Sequence, residues 1–248
     1  MKAISTIVLL LLSNLLLRAD LASDIAKGDE LDRKQLPNEA LKFYESAEKQ
    51  APNNADLLIS IARQYSFKMN LLTTNEGKIA AGRQALAYSE RAVKAAANKS
   101  DSHLSVAISL GKLAALVGNR ERVEASRRIK QSSETAVRLD PRNDYAWHIL
   151  GRWHQALANM GVGTRALAKV IYGGIPAASN EEAVKCFEKA IALKPSRLIH
   201  TIELGRTYAQ MGRKDEARKL INRGLAMPNR EFDDPDTKIR GRATLADL

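Results

Sequence analysis

At 248 residues the chain is long enough for one extended domain or two short ones. It is 45% hydrophobic and 5% aromatic with seven prolines, rich in Ala, Leu, Lys, Arg and Glu, and strand-like alternation is hard to find, so the fold class is all-α. A net charge of +11 favours anionic partners such as acidic peptides, phospholipid head groups or nucleic acid, while a single cysteine excludes an internal disulfide framework and a cysteine-based zinc site.

The N-terminus reads Met1-Lys2, an apolar run from Ala3 to Leu17, then Arg18-Ala19-Asp20-Leu21-Ala22. One cation followed by about fifteen mostly apolar residues has the form of a secretory signal peptide. As a helix the run is about 22 Å long, short of the ~30 Å hydrocarbon core of a bilayer. Neither Leu17-Arg18-Ala19 nor Asp20-Leu21-Ala22 has a small residue at the third-last place of a cleavage site. An uncleaved membrane anchor therefore stands beside the cleaved signal, with a cytosolic protein carrying a sticky first helix as the third reading. The expectation is a signal peptide or anchor over 1–19, a helical-repeat domain over 20–248, and an exported or membrane-anchored location.

Three copies of Ala-x4-Pro then punctuate the chain, at Ala47 to Pro52, Ala136 to Pro141 and Ala190 to Pro195. Each follows an apolar helical pattern, and each Pro stops one helix before the next begins. The fullest unit reads Trp147-x2-Leu150-Gly151-x2-His154, then Ala183-x3-Phe187, Ala190 and Pro195. This is the tetratricopeptide signature with His where Tyr is usual. Small residues are required where two helices cross at about 8–10 Å. The pattern predicts five units, with their first small residues at Gly28, Ala62, Gly111, Gly151 and Gly205. Residues between 66 and 83 lengthen both helices of the second hairpin. A tail helix over 235–247, started by Asp234-Pro235, caps the last repeat.

The fourth unit carries an insertion from Gly161 to Asn180. Thr164 can cap a short helix with Ala166, Leu167, Val170 and Ile171 on one face, and Ser179 with Glu182 forms a capping box for the helix that follows. The insertion reads either as a local lid over its own hairpin or as an apolar flap bordering a ligand cavity or a membrane.

From Leu139 to Pro195 the chain resembles the regulator of microtubule dynamics family. The shared features are Asp140-Pro141, the run Tyr145-Ala146-Trp147-His148-Ile149-Leu150-Gly151-Arg152-Trp153, Tyr172-Gly173-Gly174-Ile175-Pro176, Glu181-Glu182-Ala183 and Phe187. The resemblance implies a helical-repeat scaffold without enzymatic activity, associated with microtubules and in some members with organelle membranes through an N-terminal anchor. It departs from that pattern by beginning with an export-like segment, and an exported chain would not meet tubulin.

No catalytic constellation is found in the sequence. Gly161-x-Gly163 lacks the third glycine and the strand of a phosphate loop. His103, His148, His154 and His200 stand at no metal-ligand spacing, so neither metal nor cofactor is expected. Cys186, Trp147 and Trp153 read as packing residues. One pattern recurs: the residue after the small one is basic in four units, Arg63, Lys112, Arg152 and Arg206, and four places earlier come Ile59, Ile108, His148 and Ile202. Residues i and i+4 share a helix face, which in this repeat lines the concave groove. The row is either paired with neighbouring carboxylates or forms an anion-binding groove. A protein or acidic-peptide scaffold is the first functional expectation. A module holding a phospholipid under the 161–180 insertion is the alternative, and nucleic acid is disfavoured.

Overall fold

The computed structural model describes residues 20–161, 163, 169, 173, 174 and 176–248, and every regular element among them is a helix. The apolar run 3–17 and the short helix expected after Thr164 lie outside the described residues. Eleven helices follow one another among those residues: α1 (20–33), α2 (Pro37–Gln50), α3 (Ala55–Leu71), α4 (Asn75–Ala95), α5 (Ser100–Ala114), α6 (Asn119–Leu139), α7 (Asp144–Ala158), α8 (Asn180–Leu193), α9 (Leu198–Gln210), α10 (Lys214–Ala226) and α11 (Asp234–Ala246). They form two compact units, Met1–Ala97 and Asn98–Leu248.

Local chemistry sets the boundaries. Asn54 and Asn143 cap α3 and α7, their side-chain oxygens accepting from the N–H groups of Leu57 and Ala146. Ser179 accepts from Glu182 N–H at 3.1 Å, but the Glu182 carboxylate takes Lys185 instead of reaching back, so only half of the expected capping box forms. The helices before Pro52, Pro141 and Pro195 end at Gln50, Leu139 and Leu193, and Ala47, Ala136 and Ala190 are fully buried. Gly212, at φ +75°, turns the chain out of α9 in a conformation that side-chain-bearing residues resist. The long second hairpin is as expected, with 17 and 21 residues in α3 and α4.

In the first unit the core gathers Ala40, Leu41, Tyr44, Ala47, Leu57 and Ile61. The Tyr44 ring lies over Gly28, where a Cβ would come within 2.5 Å of it. In the second unit α5 pairs with α6, α7 with α8 and α9 with α10, and α11 covers both α9 and α10. Ala183, Phe187, Leu204, Tyr208 and Ala217 form the core that joins the last two hairpins.

The small signature residue is decided by these crossings. A Cβ at Gly151 would meet Cys186 Cβ and Phe187 Cε1 at 3.1 Å, and one at Gly205 would meet Ile221 at 2.7 Å. A Cβ at Gly111 would meet nothing within 4 Å, and Gly111 is exposed. Ala107, fully buried, takes the place expected of Gly111. It stands eight residues after the cap Lys99, as Gly151 does after Asn143 and Gly205 after Arg197. Two substitutions test this opposition. Gly151→Leu should destabilise the second unit by about 1–3 kcal/mol through overpacking, whereas Gly111→Ala should stabilise it by about 0.5–1 kcal/mol. Urea midpoints moving the same way for both would contradict the assignment.

Candidate functional site

The first helices of the three hairpins in the second unit approach one another directly, α5 against α7 and α7 against α9. Side chains at one register on these helices therefore share a face. Arg152 and Arg206 hold equivalent places, nine residues after the caps Asn143 and Arg197. Arg63 stands nine after Asn54 in the first unit. Lys112 does not keep this register: it is thirteen after Lys99, one turn further along α5, and Ile108 occupies the ninth place. The slip is physical in origin, because i and i+4 lie on the same helix face and leave nearly the same apolar pattern.

Each basic residue meets a carboxylate. Arg63 pairs with Asp32 of α1, and Lys112 Nζ lies 3.2 Å from Asp233 in the turn that opens α11. Arg152 Nη1 forms an ion pair with Glu203 Oε1 at 2.5 Å and Arg206 Nη1 donates to Glu203 Oε2 at 2.7 Å, while Arg240 of α11 adds a third guanidinium at 3.3 Å. Glu203 is fully buried. Burial pushes its carboxyl towards the neutral form, but the three arginines outweigh that and hold it below the usual carboxylate range. The cluster thus has three positive charges around one negative, and the Arg152, Arg206 and Arg240 side chains stay 35%, 23% and 38% exposed.

The expected apolar ladder is less uniform. Ile59 and Ile108 are half-buried, while His148 and Ile202 are buried at 2% and 0% exposure. Ile202 lies under α10 and α11, since a Cβ at Gly224 would come within 2.4 Å of its Cγ1 and one at Gly241 within 3.1 Å of its Cγ2.

His148 belongs to a polar chain that has no signature in the sequence. His200 Nδ1 is 3.0 Å from His148 Nδ1, and His200 Nε2 is 2.8 Å from Asp144 Oδ2, which also accepts from Arg197 Nη1 at 2.6 Å. The carboxylate can only accept, so His200 carries its proton on Nε2 and its Nδ1 accepts from the Nδ1–H of His148. Both rings are held neutral: desolvation lowers His148 well below the ordinary histidine range, and it lowers His200 despite the opposing pull of Asp144. Asp144 is lowered in turn; burial opposes this, but the bonds from His200 and Arg197 prevail. The chain fastens α7 to α9.

The remaining reactive side chains are packed. Cys186 is 4% exposed, and burial pushes its thiol up to about 12, far from the thiolate that reactivity requires. Trp153 is 4% exposed and its Nε1–H donates to Ser126. The half-buried Trp147 donates to the Pro141 carbonyl. No group of three or more metal-ligating side chains is found among the described residues.

The family model described as Regulator of microtubule dynamics protein 1-3 matches residues 24–248. Regulator of microtubule dynamics protein 3 of Rattus norvegicus is 26% identical over 70% of this chain and 37% of its own length. Regulator of microtubule dynamics protein 1 of Mus musculus is 26% identical over 71% of this chain and 58% of its own length. The chain thus spans between about a third and somewhat over half of these relatives. Among solved structures, a thermophilic TPR protein of Thermus thermophilus superposes with a TM-score of 0.67 at 19% identity, covering 91% of this chain and 99% of that one. PilF of Pseudomonas aeruginosa gives 0.58 at 13% identity, covering 94% and 93%. At such identities the likeness concerns the fold, a tetratricopeptide-type helical-hairpin solenoid. These findings correct the expected location. The relatives are named for their action on microtubules, which are polymers of the cell interior, and no helix among the described residues is long and apolar enough to cross a membrane. The exported reading drawn from the N-terminal segment is therefore withdrawn; the apolar run 3–17 lies outside the described residues. With a match running from residue 24 to residue 248, the chain belongs to the regulator of microtubule dynamics family.

Proposed function

We propose that the chain is a non-catalytic scaffold that holds an acidic segment of a protein partner against the first helices of the hairpins in its second unit, with Lys112, Arg152 and Arg206 as the charged contacts, and that Arg63 offers a contact of the same kind on the first unit taken by itself. Ile108 in the second unit and Ile59 in the first stay half-buried beside these cations, whereas His148 and Ile202 are packed inside and offer a partner no surface. The observation that carries the proposal is the surplus charge around Glu203. Three partly exposed guanidinium groups share one buried carboxylate, so two positive charges remain to attract an anion. Arginine suits this role because its planar fork binds a carboxylate through two parallel N–H bonds. The names of the relatives make microtubules the first partner to try.

The test is co-sedimentation with microtubules, alongside titration with poly-glutamate, across a range of salt. Charge-assisted contacts contribute about 1.5–3 kcal/mol each when well formed. Arg152→Gln combined with Arg206→Gln should therefore weaken binding at least about tenfold. Arg240 remains to balance Glu203 in that variant, so the fold should be retained. The same change at Arg138 and Arg142, on another part of the second unit, should do little. Equal losses from both pairs, or binding indifferent to salt, would reject the proposal.

A further inference from the structure

The C-terminal helix α11 does more than cover the last repeat. A cap of that kind needs only α9 and α10, yet the turn leading into it reaches back to α5. Asp234, 2% exposed, accepts from the backbone N–H groups of Arg230 at 2.7 Å and Glu231 at 2.8 Å, which closes residues 230–234 into a compact turn. From that turn Glu231 accepts from Arg197, just before α9, at 3.2 Å, and Asp233 accepts from Lys112, on α5, at 3.2 Å. The turn is tied to α7 through Arg197. Arg197, which holds Glu231, also donates to Asp144 at the start of α7 at 2.6 Å and lies 5.1 Å over the Tyr145 ring. The acidic turn therefore runs along the first helices of all three hairpins of the second unit.

Much of α11 itself is loosely buried. Ile239 is 60% exposed, and the buried residues of α11 are Asp234, Thr237 and Gly241. Charge holds the turn down, through contacts that keep water: the Glu231 side chain is 49% exposed and those of Lys112 and Asp233 are 23% and 22%. The half-exposed Glu231 end is of the weak, exchangeable kind, while the Lys112–Asp233 pair is the more enclosed of the two.

We propose that the acidic turn Glu231–Asp233 is an internal stand-in for the partner, occupying part of the basic face until a competing acidic segment displaces it. This rests on the reading of that face as an acidic-segment site, and it names the partner's chemistry: two carboxylates two residues apart, as in Glu231 and Asp233. The tethered turn competes at a high effective concentration, so the apparent affinity for any partner is lowered by the fraction of chains whose turn is lifted.

The test is fluorescence polarisation with a labelled peptide of residues 229–237 and, in parallel, labelled poly-glutamate, on the full chain and on the double variant Glu231→Gln, Asp233→Asn. Asp234 and Thr237 are left in place, so α11 keeps its start. The peptide should bind the double variant at least about threefold more tightly than the unaltered chain, and adding Lys112→Gln should abolish that gain. Should the double variant melt early, Asp233→Asn alone carries the same expectation. Equal binding to both chains, or to neither, overturns the stand-in. Peptide binding that rises in the variant while poly-glutamate binds neither chain would sink the general acidic-partner reading and leave the stand-in intact.

Discussion

Glu203→Gln should destabilise the second unit by about 2–4 kcal/mol. Removing one partner of a buried ion pair typically costs about 3–5 kcal/mol, because the remaining charge is left without compensation. The lower range applies here because Arg152, Arg206 and Arg240 retain part of their solvent contact. Glutamine preserves the shape and one acceptor oxygen, so packing is nearly unchanged and the loss reports on charge. Both tryptophans stand on α7, which makes their fluorescence a probe of this unit during urea unfolding. A change under about 0.5 kcal/mol, the range of ordinary surface substitutions, would mean that the three guanidinium groups do not depend on the buried carboxylate. The double variant Glu203→Gln, Arg240→Gln should recover part of the loss by removing one of the stranded cations.

Lowering the pH from about 7.5 to 5.5 should cost the second unit about 2 kcal/mol of stability. His148 and His200 are held neutral by burial. As pH falls through about 6.5 the unfolded chain takes up a proton on each imidazole and the folded chain does not, so mass action drains the folded state. A histidine that stays fully neutral in the fold loses about 1.4 kcal/mol over that interval. His148 should contribute nearly that much, and His200 less, because Asp144 pulls it back towards its ordinary value. Carboxylates held low in the fold, such as Glu203 and Asp144, contribute stability that is lost only below about pH 4, outside this window. His148→Gln keeps a donor for His200 Nδ1 and should remove most of the slope. A stability flat between these pH values would show that the pair is not sealed from protons.

The repeats were legible because their requirements are local. Gly28, Gly151 and Gly205, the buried alanines 47, 136 and 190 and the prolines that follow them act within one hairpin, so they recur at a spacing the chain displays. The third repeat misleads for a physical reason as well. Ala107 and Gly111 are one turn apart on one face, both small, and only the open space around Gly111 tells them apart. The charge partners were not legible. Lys112 and Asp233 are 121 residues apart, Arg240 and Glu203 are 37, and His148 and His200 are 52. Coulomb attraction and hydrogen bonding act through space and leave no periodic trace along a chain. The sequence by itself therefore determined a helical-hairpin array with basic residues at recurring places, since helix periodicity and the size limit at each crossing are written residue by residue. Only the tertiary structure decided that three arginines share Glu203, that two histidines join α7 to α9, and that the acidic turn before α11 pairs with Lys112 and Arg197, because each depends on which distant helices the packed core brings together.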